Sequence, residues 1–200
     1  MKEHVCEFIR RSATETPTAE AFDHLAQKLF LWQAQNVPEY ARFVGPRAVE
    51  SAYMDHPVPT PLFARFRFCA GESRVHFQTS GTTSGTRGSH YMPDEDAYAL
   101  SVQHGADRLP FSIPTHNTIS LCPNSREFPE SSLGKMIDIL SPEARSFFHK
   151  NGGVDKDSCW SALSLNKAPV FLASTALALA DLLETGASTL LPAGSVLMIT

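Results

Sequence analysis

No two of the four cysteines, Cys6, Cys69, Cys122 and Cys159, form a CxxC pair, and none has a histidine at metal-ligand spacing. That removes a zinc module and a legible disulfide framework, and leaves four free, buried thiols in a reducing compartment as the expectation. The eight histidines form neither HxxxH nor HExxH, so no metal site is expected, and no serine stands in GxSxG, which removes the hydrolase elbow. Charge is scarce as well. Charged residues make up 19% of the 200, the net charge is -4, and the arginines are scattered. Such a chain offers no basic field to a polyanion, and nucleic acid is not an expected partner. The longest apolar run, 168–183, is interrupted by Asp181 and falls short of the ~20 residues of a membrane span. MKEHVCEFIRR at the start carries both signs of charge and no apolar core, unlike a secretory signal. A cytoplasmic protein with no membrane span is expected.

What is present is an ordinary globular balance, with 42% apolar residues, enough for one large domain or two small ones. Phe22, Leu25, Ala26, Leu29 and Phe30 fall on one helical stripe, with Thr16 and Pro17 as cap and first turn and Pro38 as the stop. A short helix at 39–43 would present Tyr40 and Phe43. HPVPTP, with Pro57, Pro59 and Pro61, reads as an extended linker, so residues 1–56 form a helical segment and 57–200 the rest. Beyond it, strands at 74–78, 118–122, 170–173 and 196–200 alternate with helices at 94–105, 131–140 and 176–183. Strands separated by helices predict an α/β fold of βαβ units with a mostly parallel sheet flanked by helices. Phe66 and Phe68, alternating with Arg65 and Arg67, predict a half-buried strand with solvated arginines in preference to a strip for single-stranded nucleic acid. Asp94, Glu95 and Asp96 suit a helix's first turn, and Trp32 and Trp160 read as packing residues.

HFQTSGTTSGTRGSH, residues 76–90, puts seven Ser or Thr and three glycines into fifteen positions. A flexible linker, a tight turn and a loop that wraps an anion all have this texture. A loop that approaches phosphate needs glycines that let the backbone in, and Gly81, Gly85 and Gly88 supply them. It also needs donors, and Thr79, Ser80, Thr82, Thr83, Ser84 and Thr86 bring hydroxyls while Arg87 brings a fixed cation with a planar fork of N–H groups. It is not a Walker loop. Counted from Gly81, that pattern wants Gly at 86 and Lys at 87, where Thr86 and Arg87 stand, and the glycine spacing does not fit GxGxxG either. A position just after a strand, and the cation within it, favour the anion-wrapping reading. His90, directly after the loop, is either a phosphate contact or solvated.

TSGTTSGTRG, Thr79 to Gly88, resembles without gaps the phosphate-binding signature TSGTTGxPKG of adenylate-forming enzymes, the superfamily of acyl-CoA synthetases and nonribosomal adenylation domains. Ser84 stands where that family has glycine, Thr86 where it has proline and Arg87 where it has lysine. LCPNSREFPESSLGKM (121–136), PVFLASTALALADLLE (169–184) followed by LPAGSVLMIT, and PVPTPLF ahead of the loop resemble the acyl-protein synthetases, the LuxE-type ligases of bacterial luminescence. The first of these is also similar to a piece of phenylacetate-CoA ligases. The resemblance covers about residues 50 to 200.

It implies the large N-terminal α/β domain of an adenylate-forming enzyme, truncated. The implied reaction is ATP-dependent activation of a carboxylic, fatty acid as acyl-adenylate, with Mg²⁺, followed by acyl transfer to a thiol. The carboxylic acid, the thiol acceptor and other subunits of a fatty-acid reductase complex are the implied partners. Thr79, Ser80, Gly81, Thr82, Thr83, Ser84, Gly85, Arg87 and Gly88 would hold the nucleotide phosphates, and Glu130, Ser131 and Ser132 would lie near the acyl or adenylate pocket. No catalytic residue is implied. In such ligases an adenine-binding segment, a ribose-binding aspartate, a catalytic lysine and an acyl-accepting cysteine follow the position of Thr200. The apolar run GSVLMIT and the missing later motifs predict an N-terminal fragment, with a catalytically inactive nucleotide-binding remnant or partner-dependent half-domain as the alternative.

Overall fold

A computed structural model describes residues 1–46, 50, 52–79 and 87–200. Residues 2–36 contain one proline and no glycine, and they form two helices, α1 (Lys2–Thr14) and α2 (Ala19–Asn36). The cap of α2 is Thr18 rather than Thr16; its hydroxyl accepts from Ala21 N at 3.1 Å. Val37, which precedes Pro38, takes the extended conformation that a following proline imposes, ending α2 and opening α3 (Pro38–Val44). Helix α1 was not marked by the sequence pattern, although it buries Cys6 and sets Phe8 against Phe22, ring centroids 6.3 Å apart.

The chain folds as two compact units, Met1–Gly105 and Ala106–Thr200. In the first, Phe30, Val37, Tyr40 and Val44 form a core on which Val58 and Phe68 pack, so the segment around residue 57 lies inside this unit. A 3-10 turn at Thr60–Ala64 takes in Pro61, so the extended stretch ends at Pro59. The expected strand at Phe66 and Phe68 is absent: Phe66 is exposed, Phe68 packs against Phe63 at 5.0 Å, and Arg67 donates to Gly71 O at 3.0 Å. Tertiary packing of one ring, not alternation, decides this stretch.

β1 (Val75–Gln78) pairs antiparallel with β2 (Ser89–Met92), and among the described residues no other strand joins them. This corrects the expectation that the strand before the hydroxyl-rich loop belongs to the parallel sheet. Ser89–Met92 runs back along β1 as a second strand, which its Ser and His had disguised. Helix α4 (Asp96–Ala106) follows. Asp94 stands before the helix rather than in it, accepting from Asp96 N at 3.1 Å and from Lys2 Nζ at 2.8 Å. Those bonds raise the Lys2 pKa and lower that of Asp94.

The second unit holds a four-stranded, all-parallel sheet in the order β4-β3-β5-β6, built from β3 (Asn117–Ser120), β4 (Arg145–Ser146), β5 (Val170–Ser174) and β6 (Val196–Ile199). Its helices are α5 (Ser132–Leu140), α6 (Lys156–Leu165) and α7 (Ala176–Leu183). Ser131, Asp155 and Thr175 cap them, each side chain accepting from an N–H three residues on. Ile119 and Leu172 share one sheet face with Cys159 and Leu163 of α6 and Leu182 of α7. Phe171 and Ala173 share the other with Ile137 of α5. Both faces of β5 are therefore covered, as a parallel sheet requires, and all five of its residues are buried. The four cysteines are free and buried. Among the described residues no helix is long and apolar enough to cross a membrane.

Candidate functional site

The hydroxyl-rich loop springs from the β1–β2 hairpin in the first unit. Four residue pairs, from Val75↔Met92 to Gln78↔Ser89, hold the stem in register. One step further out, Thr79 N donates to Gly88 O at 2.9 Å and Gly88 N donates to Thr79 Oγ1 at 2.8 Å. These two bonds close the mouth, so both ends of the loop are pinned. Ser80, Gly81, Thr82, Thr83, Ser84, Gly85 and Thr86 lie outside the described residues.

Three of the expected phosphate-binding residues are thus brought together at the mouth. Thr79 spends its oxygen as an acceptor for Gly88 N and keeps its O–H to donate. Gly88 is buried, and a Cβ there would sit 3.4 Å from Thr79 Oγ1 and 3.7 Å from Phe63 Cβ, so glycine serves close approach at this position. Its φ is not positive, contrary to one of the two uses a phosphate loop has for glycine. Arg87 is exposed, its Nη1 only 3.5 Å from Gln78 Oε1.

Aromatic stacking stiffens the stem. His90 lies on Phe63 with ring centroids 4.8 Å apart, and His76 on Tyr91 at 4.5 Å with planes 4° apart. Arg67 sits 5.3 Å from the centre of the Tyr91 ring. His90, read beforehand as a phosphate contact or solvated, is exposed yet occupied in stacking. The buried His76 Nε2 has no hydrogen-bond partner among the described residues.

Glu130, Ser131 and Ser132 belong to the second unit. Ser131 caps α5: its Oγ accepts from Gly134 N at 3.0 Å, and its N–H donates to Phe128 O at 2.9 Å. Its hydroxyl oxygen therefore has a structural task. Ser132 is the first helical residue and Glu130 is half-buried just ahead of it. The preceding turn is built from its own side chains, with Asn124 Oδ1 accepting from Glu127 N at 3.0 Å and Ser125 Oγ bonded to Asp138. Sequence reading missed how tightly this turn covers α5. A Cβ on Gly134 would lie 2.2 Å from Pro123 O, and the glycine inside a helical stretch was the available signal.

Burial pushes the thiols of Cys122 and Cys159 up to about 11, so neither is a ready nucleophile at neutral pH. Among the described residues no group of three or more His, Cys, Asp or Glu is placed to hold a metal ion. No family model, curated protein or solved structure matches the chain.

Proposed function

We propose that this chain is the nucleotide-binding, N-terminal part of an acyl-activating ligase of the LuxE type. The reading rests on one observation: the stretch that resembles the adenylate-forming signature has its two ends, Thr79 and Gly88, held together by two hydrogen bonds beside the paired β1 and β2. A free linker needs no such closure. The donor set fits a phosphate chain, because hydroxyls and Arg87 are present between residues 79 and 88 and no carboxylate is.

In the proposed reaction a fatty carboxylate attacks the α-phosphorus of ATP, forming acyl-adenylate and releasing pyrophosphate. A thiol then attacks the acyl carbonyl, and AMP leaves. The hydroxyls of Thr79, Ser80, Thr82 and Thr83 donate to the β- and γ-phosphate oxygens and Arg87 neutralises charge, so catalysis is chiefly positioning and electrostatic stabilisation. Mg²⁺ bound to the triphosphate would supply charge shielding there, with no metal-ligand cluster of the chain's own among the described residues. Glu130, Ser131 and Ser132 are the acyl-side candidates; Ser131 Oγ accepts from Gly134 N to start α5 and keeps its O–H to donate. The cytoplasm supplies ATP and keeps thiols reduced, and a partner presents the acceptor thiol, as a fatty-acid reductase complex would.

Equilibrium ATP binding tests the loop. Arg87→Ala and Thr82→Ala should each weaken binding by about 1–3 kcal/mol, and unchanged affinity in both returns the loop to a linker. Pyrophosphate release that needs both ATP and a fatty acid supports a working ligase. Tight ATP binding without turnover leaves a nucleotide-binding remnant.

A further inference from the structure

The first unit contains an apolar cavity that the proposed nucleotide chemistry leaves unused. It encloses about 650 Å³, within the usual range of small-molecule sites, and all of its lining residues belong to this unit. Its α2 wall is one helical stripe, because Phe22, Ala26, Leu29 and Gln33 recur at three- and four-residue spacing. From Phe22 to Gln33 the helix rises about 16 Å, so this wall is elongated. Met54, Val58, Phe63 and Phe68 line the cavity from the chain beyond α3. Hydrogen bonds anchor that segment to the helices: Tyr53 N donates to Gln27 Oε1 and Tyr53 Oη to Asp23 Oδ1, both at 2.9 Å, and Tyr40 Oη donates to His56 O at 3.1 Å. Among the described residues no Lys, Arg, Asp or Glu lines the cavity.

A second observation concerns access. Phe22 is 53% and Met54 71% exposed, and Ala26, Leu29, Val58, Phe63 and Phe68 are half-buried, so these walls can be reached by a ligand. Large apolar side chains left in water around a cavity mark a binding groove. Gln33, also half-buried, has no side-chain partner among the described residues, which leaves its amide one acceptor and two donors to offer.

We propose that this cavity binds an uncharged ligand with an unbranched aliphatic chain, of the chemistry of a fatty alcohol. Phe22, Ala26 and Leu29 on one side and Met54, Val58 and Phe68 on the other cover the chain, and the Gln33 amide meets the hydroxyl. The lining decides the charge: with no ionic partner in the wall, a charged head would be desolvated without compensation. The elongated α2 stripe, polar only at Gln33, decides the shape. Glu130, Ser131 and Ser132, the acyl-side candidates of the ligase, belong to the second unit and take no part.

Isothermal titration of the whole chain with hexanol, octanol, octanesulfonate and octylammonium tests this. The series needs neither ATP nor a carboxylate, so its outcome does not depend on the ligase reading. Octanol should bind saturably, with each methylene from hexanol to octanol tightening binding about fourfold. Either charged head should weaken binding by about tenfold or more. Ala26→Phe fills the cavity from the helix and should abolish octanol binding with the far-UV circular dichroism unchanged. Met54→Asp, at an exposed position on the rim, should weaken octanesulfonate further and strengthen octylammonium. Gln33→Leu should weaken octanol several-fold without lowering Tm. The ligand series on the unaltered chain stands even where a variant does not fold. No saturable binding of octanol up to its solubility limit, equal binding of the three octyl ligands, or unchanged octanol affinity in a folded Ala26→Phe chain overturns the proposal.

Discussion

All five residues of β5 are buried between two layers of side chains, whereas the β1–β2 hairpin buries one residue, Phe77, among its eight. The parallel sheet is held by what covers it on both faces. The hairpin is held by its register, by stacked rings at His76–Tyr91 and Phe63–His90, and by the Thr79–Gly88 closure. One consequence is tolerance: the stem is fixed by backbone pairs and stacking and needs little burial of its own. In the first unit the hairpin therefore stands apart from the core, while in the second the core and the sheet are the same object.

The largest expected effect breaks this contrast at the sheet. Phe171→Ala removes a ring 2% exposed and should cost about 3–5 kcal/mol, read by urea denaturation with Trp160 as reporter in a Trp32→Phe background. Phe77→Ala, whose neighbours are partly exposed, should cost less; equal losses would erase the difference between the units.

Two helix glycines offer a sharper comparison. Gly134→Ala drives a Cβ to 2.2 Å from Pro123 O and should cost about 1–3 kcal/mol, although alanine is the better helix former. Gly105→Ala meets nothing within 4 Å and should stabilise by about 0.5–1 kcal/mol. Thermal melting of both variants checks the opposite signs. Next come the caps: Thr18→Ala in the first unit and Thr175→Ala in the second should each cost about 0.5–2 kcal/mol.

The smallest effect begins at alkaline pH. Cys122 and Cys159 titrate at about 11 in the fold because burial disfavours the thiolate, against about 9 for an ordinary thiol. The unfolded chain then holds fewer protons than the folded one between these values, so stability falls as pH rises through that window. Denaturation midpoints from pH 8 to 10, with Cys122→Ala and Cys159→Ala flattening the slope, test it. Cys69 in the first unit is raised by burial too, with Arg67 opposing the shift.

Much of the second unit was legible because its elements carry their own signals. VFLAS is a continuous apolar run, as a doubly covered strand must be, and Ala176–Leu183 was bounded correctly. Of the stripe read on α5, Leu133, Met136, Ile137 and Leu140, all but Met136 join the core under the sheet. Helix α6 (KDSCWSALSL) and the two-residue β4 went unmarked. In the first carbons and hydroxyls alternate without a clear stripe, and in the second pairing with β3 alone makes a strand. At the candidate loop, composition named the donors, but hydrogen bonding across nine residues of separation decided that Thr79 and Gly88 close its mouth and that Thr79 is partly occupied.

Sequence alone determined the types of group the chain can bring to bear: hydroxyls, glycines and one arginine in a single stretch, and apolar runs that suit a covered sheet. Those are properties of neighbouring residues, and neighbours in sequence are neighbours in space. Tertiary structure alone decided that β1 pairs with β2 rather than joining the parallel sheet, that Ser131 is bound to a helix end, and that Phe22, Leu29, Met54 and Phe68 border one cavity. Each depends on groups brought together by chain closure, and residue order does not encode that proximity.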